Sequence, residues 1–209
     1  MPGAEALNAA ARRVPRGAIY VLGALPAVFL LQGLFAGSLG PDPAKVVERE
    51  LGLTGLQFLM AALAITPLRR IAGINFIRHR RALGLLAFFY IVLHLAAWVV
   101  LDFNLLWGEM LRDILKRPYI TVGMLGFAAM LPLAVTANDA AIRRMGAAAW
   151  QRLHRLAYLA ALAGALHFLL LVKTLTPSAV LHAGAILMLL ALRVGWAIRR
   201  GRIRTLRGA

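Results

Sequence analysis

The 209-residue sequence contains no cysteine. That absence excludes disulfides, cysteine-ligated zinc, iron–sulfur clusters and thioether-attached c-type heme, so any redox centre must be held without cysteine sulfur. Charge is scarce as well. Only 15% of residues are Asp, Glu, Lys or Arg and only eight are acidic, against about 25% charged in a soluble domain. No Gly-rich nucleotide fingerprint of the GxGxxG type lies between a strand and a helix, so any NAD(P)H site belongs to another protein. What is plentiful is apolar sequence: 61% of residues are hydrophobic. Disordered, collagen-like and coiled-coil chains are excluded, since each needs a polar or strictly periodic sequence. So few charges could not cover that much apolar surface in a soluble monomer, and the sequence reads as an integral membrane protein.

A hydrocarbon core of roughly 30 Å takes about 20 apolar residues to cross as a helix. Six segments qualify: Gly17–Gly37, Leu51–Leu68, Leu83–Leu101, Ile120–Asn138, Leu153–Val172 and Ala179–Ile198. Lipid offers the backbone no hydrogen-bond partners, so each must be helical. The first follows Arg12, Arg13 and Arg16 as a signal peptide would, but its apolar stretch exceeds the usual 7–15 residues and reads as a retained anchor. The expected fold is an all-α six-transmembrane-helix bundle with a tail over 1–16, a membrane domain over 17–198 and a basic tail over 199–209. After the turn Gly40-Pro41-Asp42-Pro43, residues Ala44–Glu50 read as a short interfacial helix. Leu105–Leu115 reads as an amphipathic helix along the surface.

The formal charge of +16 would suggest nucleic acid in a soluble protein, but its distribution gives another reason. With the N-terminus inside, 18 of the 24 basic residues fall on the inner side, among them Arg69, Arg70, Arg78, Arg80, Arg81, Arg143, Arg144, Arg152, Arg155 and Arg199. Six fall outside: Lys45, Arg49, Arg112, Lys116, Arg117 and Lys173. Six of the eight acids lie outside, and Glu5 and Asp139 inside. This asymmetry predicts both termini in the cytoplasm. The charge is a topology signal matched to anionic lipid headgroups, and no nucleic-acid partner is expected.

Five histidines carry the chemical interest, because an ionisable or metal-binding side chain inside a span is costly. His94 lies in the third span, 11 residues beyond Leu83, and His167 in the fifth, 14 beyond Leu153. Both spans run from inside to outside, so the two sit at depths of roughly 16 and 21 Å. Two readings of this pair stand: axial ligands clamping a heme iron from opposite faces, and a buried polar pair. Ala96, Ala97, Gly164 and Ala165 beside them would leave room for a flat macrocycle. His154 lies roughly 20 Å below His167 on the same helix, at the inner edge, as a possible second ligand site. His79 reads as a solvated loop histidine, His182 as structural, and Trp98, Trp107, Tyr119 and Trp150 as headgroup anchors.

Several short stretches carry a resemblance when taken in order: Gly40-Pro41-Asp42-Pro43, Ile65-Thr66-Pro67-Leu68-Arg69, Arg80-Arg81-Ala82-Leu83-Gly84-Leu85, Leu93-His94-Leu95, Arg117-Pro118-Tyr119-Ile120-Thr121, Trp150-Gln151-Arg152-Leu153-His154 and His167-Phe168. From about residue 17 to 200 the chain resembles the ferric-reductase-like transmembrane proteins. Within them it is similar to the heme-binding membrane subunits of bacterial periplasmic methionine sulfoxide reductase systems. The resemblance implies an inner-membrane b-type heme protein that takes electrons from the quinol pool or a flavin reductase. It would pass them to a periplasmic molybdenum-cofactor reductase that repairs oxidised methionines. Carried over by position, the heme-iron histidines are His94, His154 and His167. Arg80 and Arg81 would pair with heme propionates or a flavin phosphate, or else are ordinary inward-side charge. FMN is implied by the family alone, with no FMN-specific motif here. The alternatives are a ferric or cupric ion reductase of the same superfamily, and a non-redox transporter or assembly protein using its histidines as polar glue.

Overall fold

The computed structural model describes residues 2–172 and 174–207, with side chains described for 3–172 and 174–199. Lys173, and the side chains of Arg200, Arg202, Arg204 and Arg207, lie outside the described residues. Among the described residues the chain is helical without strands. Six segments of the described residues are long and apolar enough to cross a membrane: Arg16–Phe35, Pro43–Ala72, Ile77–Asp102, Pro118–Val135, Ala147–Leu171 and Pro177–Arg199. The helices are α1 (Pro2–Arg13), α2 (Arg16–Phe35), α3 (Pro43–Pro67), α4 (Arg80–Ala97), α5 (Trp107–Lys116), α6 (Pro118–Val135), α7 (Asp139–Met145), α8 (Ala147–Leu153), α9 (Leu156–Leu171) and α10 (Pro177–Arg207).

Helices α3, α4, α6 and α9 form the centre, packed chiefly as the pairs α3–α4 and α6–α9. α2 leans on α3 and α4, and α10 on α9 and α3. Buried Leu56, Leu59, Leu63, Ala129, Met130, Ala160 and Ala161 join the two pairs into one core. The small alanines let α6 and α9 approach closely, as membrane interfaces require.

Sequence signals account for most helix ends, and the exceptions are informative. Asp42 caps α3, accepting the Lys45 amide at 3.3 Å, and Pro43 occupies the first turn. No breaker follows, so the expected short helix Ala44–Glu50 is the first two turns of α3 and not a separate element. Nor does Thr66-Pro67 end the span, because the helix widens into a π-helical turn over Leu68–Ala72 and stops at Gly73, whose φ is 70°. A wide turn accommodates a proline that cannot donate to the ladder. The fifth span is jointed at His154, where hydrogen bonds shorten to three-residue spacing (Arg155 to Arg152 at 3.1 Å, Tyr158 to Arg155 at 2.9 Å). His154 and His167 therefore do not share one unbroken helix.

At the arginine-rich end, α1 lies pinned against the α3–α4 connection. Asn8 donates to the Gly73 carbonyl at 3.0 Å and accepts from the Asn75 amide at 2.6 Å. Arg78 donates to the Arg12 carbonyl. His79, expected to be solvated, is 5% exposed and donates through Nε2 to the Ala11 carbonyl at 3.1 Å. Burial by α1, which sequence patterning read as a tail, is the reason for that difference.

At the opposite end α5 is amphipathic as expected. Trp107, Leu111 and Leu115 are exposed along one stripe, and Met110 is buried beneath. Trp98 departs from its expected place at a headgroup boundary: it is 8% exposed and packed with Met110 and Ile120 under α5.

Candidate functional site

His94 on α4 and His167 on α9 face each other across the central four helices. Their ring centroids are 6.2 Å apart and the rings meet nearly edge to face, at 76°. Each Nδ1 is bonded to a backbone carbonyl of the neighbouring helix: His94 to Glu48 O on α3 at 2.8 Å, His167 to Tyr119 O on α6 at 2.6 Å. A carbonyl only accepts, so both Nδ1 atoms carry the proton and both Nε2 atoms keep the lone pair. This is the arrangement in which a metal-binding histidine is oriented by its second nitrogen. Two imidazoles binding one metal ion at about 2 Å each would place their centroids about 6 Å apart, and the observed separation meets that requirement.

The pair lines a cavity of about 260 Å³ with walls that are mostly apolar. The expected source of room was only partly right. Gly164 lines the cavity, but Ala97 and Ala165 are buried in helix contacts and Ala96 is exposed. The space comes instead from Gly52 and Gly55 on α3 and Gly123 and Gly126 on α6. The sequence held a signal for these four: each pair is spaced by three, about one helical turn, within a membrane span.

A second cavity, about 710 Å³, lies below the first at the arginine-rich end. Arg78, Arg80, Arg81 and Arg155 line it, together with His154 and Trp150. Arg81 is tied to Asp139 at 2.5 Å, and this contact holds the Asp139 carboxyl below the usual carboxylate range. His154 is held differently from the upper pair. Its Nε2 lies 3.1 Å from the Thr136 hydroxyl, whose own proton goes to Pro132 O at 2.6 Å. Nε2 therefore donates, and Nδ1 keeps the lone pair. The ring stacks on Trp150 with centroids 3.8 Å apart, and Trp150 donates to the Thr136 carbonyl at 2.8 Å. Trp150 thus steadies a histidine rather than standing alone as a headgroup anchor.

Leu59 and Met130 line both cavities and form the partition between them. Beside them Phe127, in the upper cavity, stacks on Phe88, in the lower, with centroids 6.0 Å apart and planes within 4°. His182 lies apart from both cavities. It accepts from the Gln57 amide at 3.3 Å and donates to Ser178 O at 2.7 Å, which ties α10 to α3.

Fold and site define a polytopic membrane protein with a bis-imidazole slot between two helix pairs. Residues 51–165 match the family described as "Ferric reductase like transmembrane component", and the chain belongs to that family. It is 46% identical over 187 residues to the "Protein-methionine-sulfoxide reductase heme-binding subunit MsrQ" of Rhizobium meliloti (strain 1021), covering 88% of this chain and 83% of that protein. Proteins of the same name from Brucella anthropi and Brucella ovis are 43% and 41% identical, covering 84% and 90% of this chain and 80% and 83% of theirs.

Proposed function

We propose that this chain is a b-type heme subunit of the bacterial inner membrane that passes electrons to a periplasmic molybdenum-cofactor methionine sulfoxide reductase. Its donor is the quinol pool or a flavin reductase. The observation that carries this reading is the His94–His167 pair, with both Nδ1 protons given to carbonyls and both Nε2 lone pairs left for iron. The relatives' names, which specify heme binding and methionine sulfoxide reductase, support it.

Heme supplies a one-electron centre whose potential responds to axial ligand, burial and nearby charge. The chain's own residues do the remaining work. His94 and His167 would hold the iron, the carbonyls of Glu48 and Tyr119 hold the two rings, and the apolar walls keep water away. In the lower cavity Arg80 and Arg81 suit acidic groups, whether heme propionates or an FMN phosphate. His154 would serve as an iron ligand through Nε2 only by giving up its bond to Thr136.

Sidedness follows from charge. The end that carries Arg69, Arg70, Arg78, Arg80, Arg81, Arg143 and Arg144 faces the cytoplasm in this reading, with both termini there. The reductase then meets the opposite end, at the turn before α3 and at α5. Mixed charge on those loops, with Asp42 paired to Lys45 at 2.7 Å and Asp113 to Arg117 at 2.7 Å, suits a brief, salt-sensitive encounter.

The test is reconstitution in liposomes with a quinol donor, with and without the molybdenum subunit, following loss of methionine sulfoxide. Turnover is expected only when both proteins are present. Sulfoxide reduction by this chain alone, or no acceleration by the partner together with direct ferric-ion reduction, would overturn the proposal.

A further inference from the structure

Gly52 on α3 and Gly123 on α6 occupy matching places beside the two histidines. A Cβ on Gly52 would lie 3.0 Å from His94 Nδ1, and one on Gly123 would lie 2.8 Å from His167 Nδ1. In both cases the carbonyl that accepts the imidazole proton belongs to the residue four before the glycine: Glu48 before Gly52, Tyr119 before Gly123. Within a helix that carbonyl already receives the N–H four residues on. Its second lone pair is open sideways, but the Cβ of the later residue leans back toward it. Any side chain would stand where the ring now sits.

The neighbouring glycines do a different job. A Cβ on Gly55 would strike Ile91 and Tyr90, and one on Gly126 would press on Ala163, so these two set helix-to-helix distance. Only Gly52 and Gly123 meet the imidazoles.

We infer that Gly52 and Gly123 are positioning residues for the two ligand histidines. By omitting a side chain, each lets one imidazole reach a carbonyl inside a neighbouring helix, which fixes Nδ1 as the protonated nitrogen and turns Nε2 into the slot. The inference rests on His94 and His167 being the iron ligands. A histidine that donates from its second nitrogen is a more basic ligand, and a more basic ligand favours the ferric state. Loss of either bond therefore raises the reduction potential and weakens heme retention.

The experiment compares Gly52→Ala and Gly123→Ala with Gly184→Ala, whose added methyl meets open space, in the detergent-purified full chain. Hemin titration of the apoprotein should show binding about 10–100-fold weaker in the first two. Redox titration should show the ferrous-to-ferric ratio at fixed potential rising about tenfold, an upward shift of about 59 mV for one electron. Replacing Ile120 by its α-hydroxy analogue makes the Tyr119 carbonyl an ester, a poorer acceptor with no added volume. It should raise the potential even if Gly123→Ala fails to fold. Unchanged potential and hemin affinity in these variants, or equal losses in Gly184→Ala, would overturn the inference while leaving the ligand assignment intact. Full heme retention in His94→Ala and His167→Ala would overturn the assignment itself.

Discussion

The hydroxyl of Tyr90 bonds to two backbone groups of α2, accepting from the Ala27 amide at 3.1 Å and donating to the Gly23 carbonyl at 2.7 Å. In a regular helix these two groups, four residues apart, are each other's partners. Pro26, next to them, disturbs the ladder because its ring crowds the preceding turn. The tyrosine hydroxyl serves both groups beside that proline, and Tyr90 itself is 1% exposed. α2 is thereby fastened to α4, four residues before His94.

Tyr90→Phe should therefore cost about 1–3 kcal/mol, the penalty for leaving a buried donor and acceptor unpaired. The check is a thermal melt of the detergent-purified protein, with heme content measured separately. A melt indistinguishable from the parent protein would mean that α2 recloses its own bond when the hydroxyl is gone.

His154→Ala is expected to slow reduction by a quinol or flavin donor more than it alters the optical spectrum of heme in the upper slot. The motive is position: His154 lines the lower cavity among Arg78, Arg80, Arg81 and Arg155, with the partition of Leu59 and Met130 above it. Stopped-flow reduction by each donor checks this. Unchanged kinetics at normal expression would return His154 to a structural role with Thr136 and Trp150.

The Arg81–Asp139 contact gives a pH prediction with a definite sign. Hydrogen bonding and the nearby guanidinium lower the Asp139 pKa in the folded chain. Its contribution is therefore complete above the unfolded value, about 3.9, and is lost as pH falls through the lower folded value. Melts of the parent and Asp139→Asn should differ by a constant amount between about pH 5 and 7 and converge below about pH 4. Convergence already between pH 5 and 7 would contradict this sign.

Much of this was legible in the residue order, for physical reasons that can be named. Six spans follow from apolar length alone, because lipid leaves the backbone no alternative to helix. The meeting of His94 and His167 followed from counting residues up two spans that run the same way. What stayed hidden depends on neighbours that composition does not reveal. The three-residue spacing marks Gly52 and Gly123 as close-contact glycines, but not that the groups they make room for are the two imidazoles. His79 reads as solvated among arginines because nothing in residues 76–81 announces that α1 folds over it. The joint at His154 falls in the stretch Gln151-Arg152-Leu153-His154-Arg155, where no glycine or proline marks it, and the contact beside it is with Thr136, just past the end of α6 and distant in sequence.

The most direct measurement is heme quantitation with an absorption spectrum of the detergent-purified protein beside its His94→Ala, His167→Ala and His182→Ala variants. The parent protein should bind heme with a six-coordinate, low-spin spectrum. Loss of one axial ligand should remove most bound heme from the first two variants. His182→Ala should keep it, because that ring is committed to Gln57 and Ser178. Full heme content and an unchanged six-coordinate spectrum in both His94→Ala and His167→Ala would contradict the central claim that this pair holds the iron.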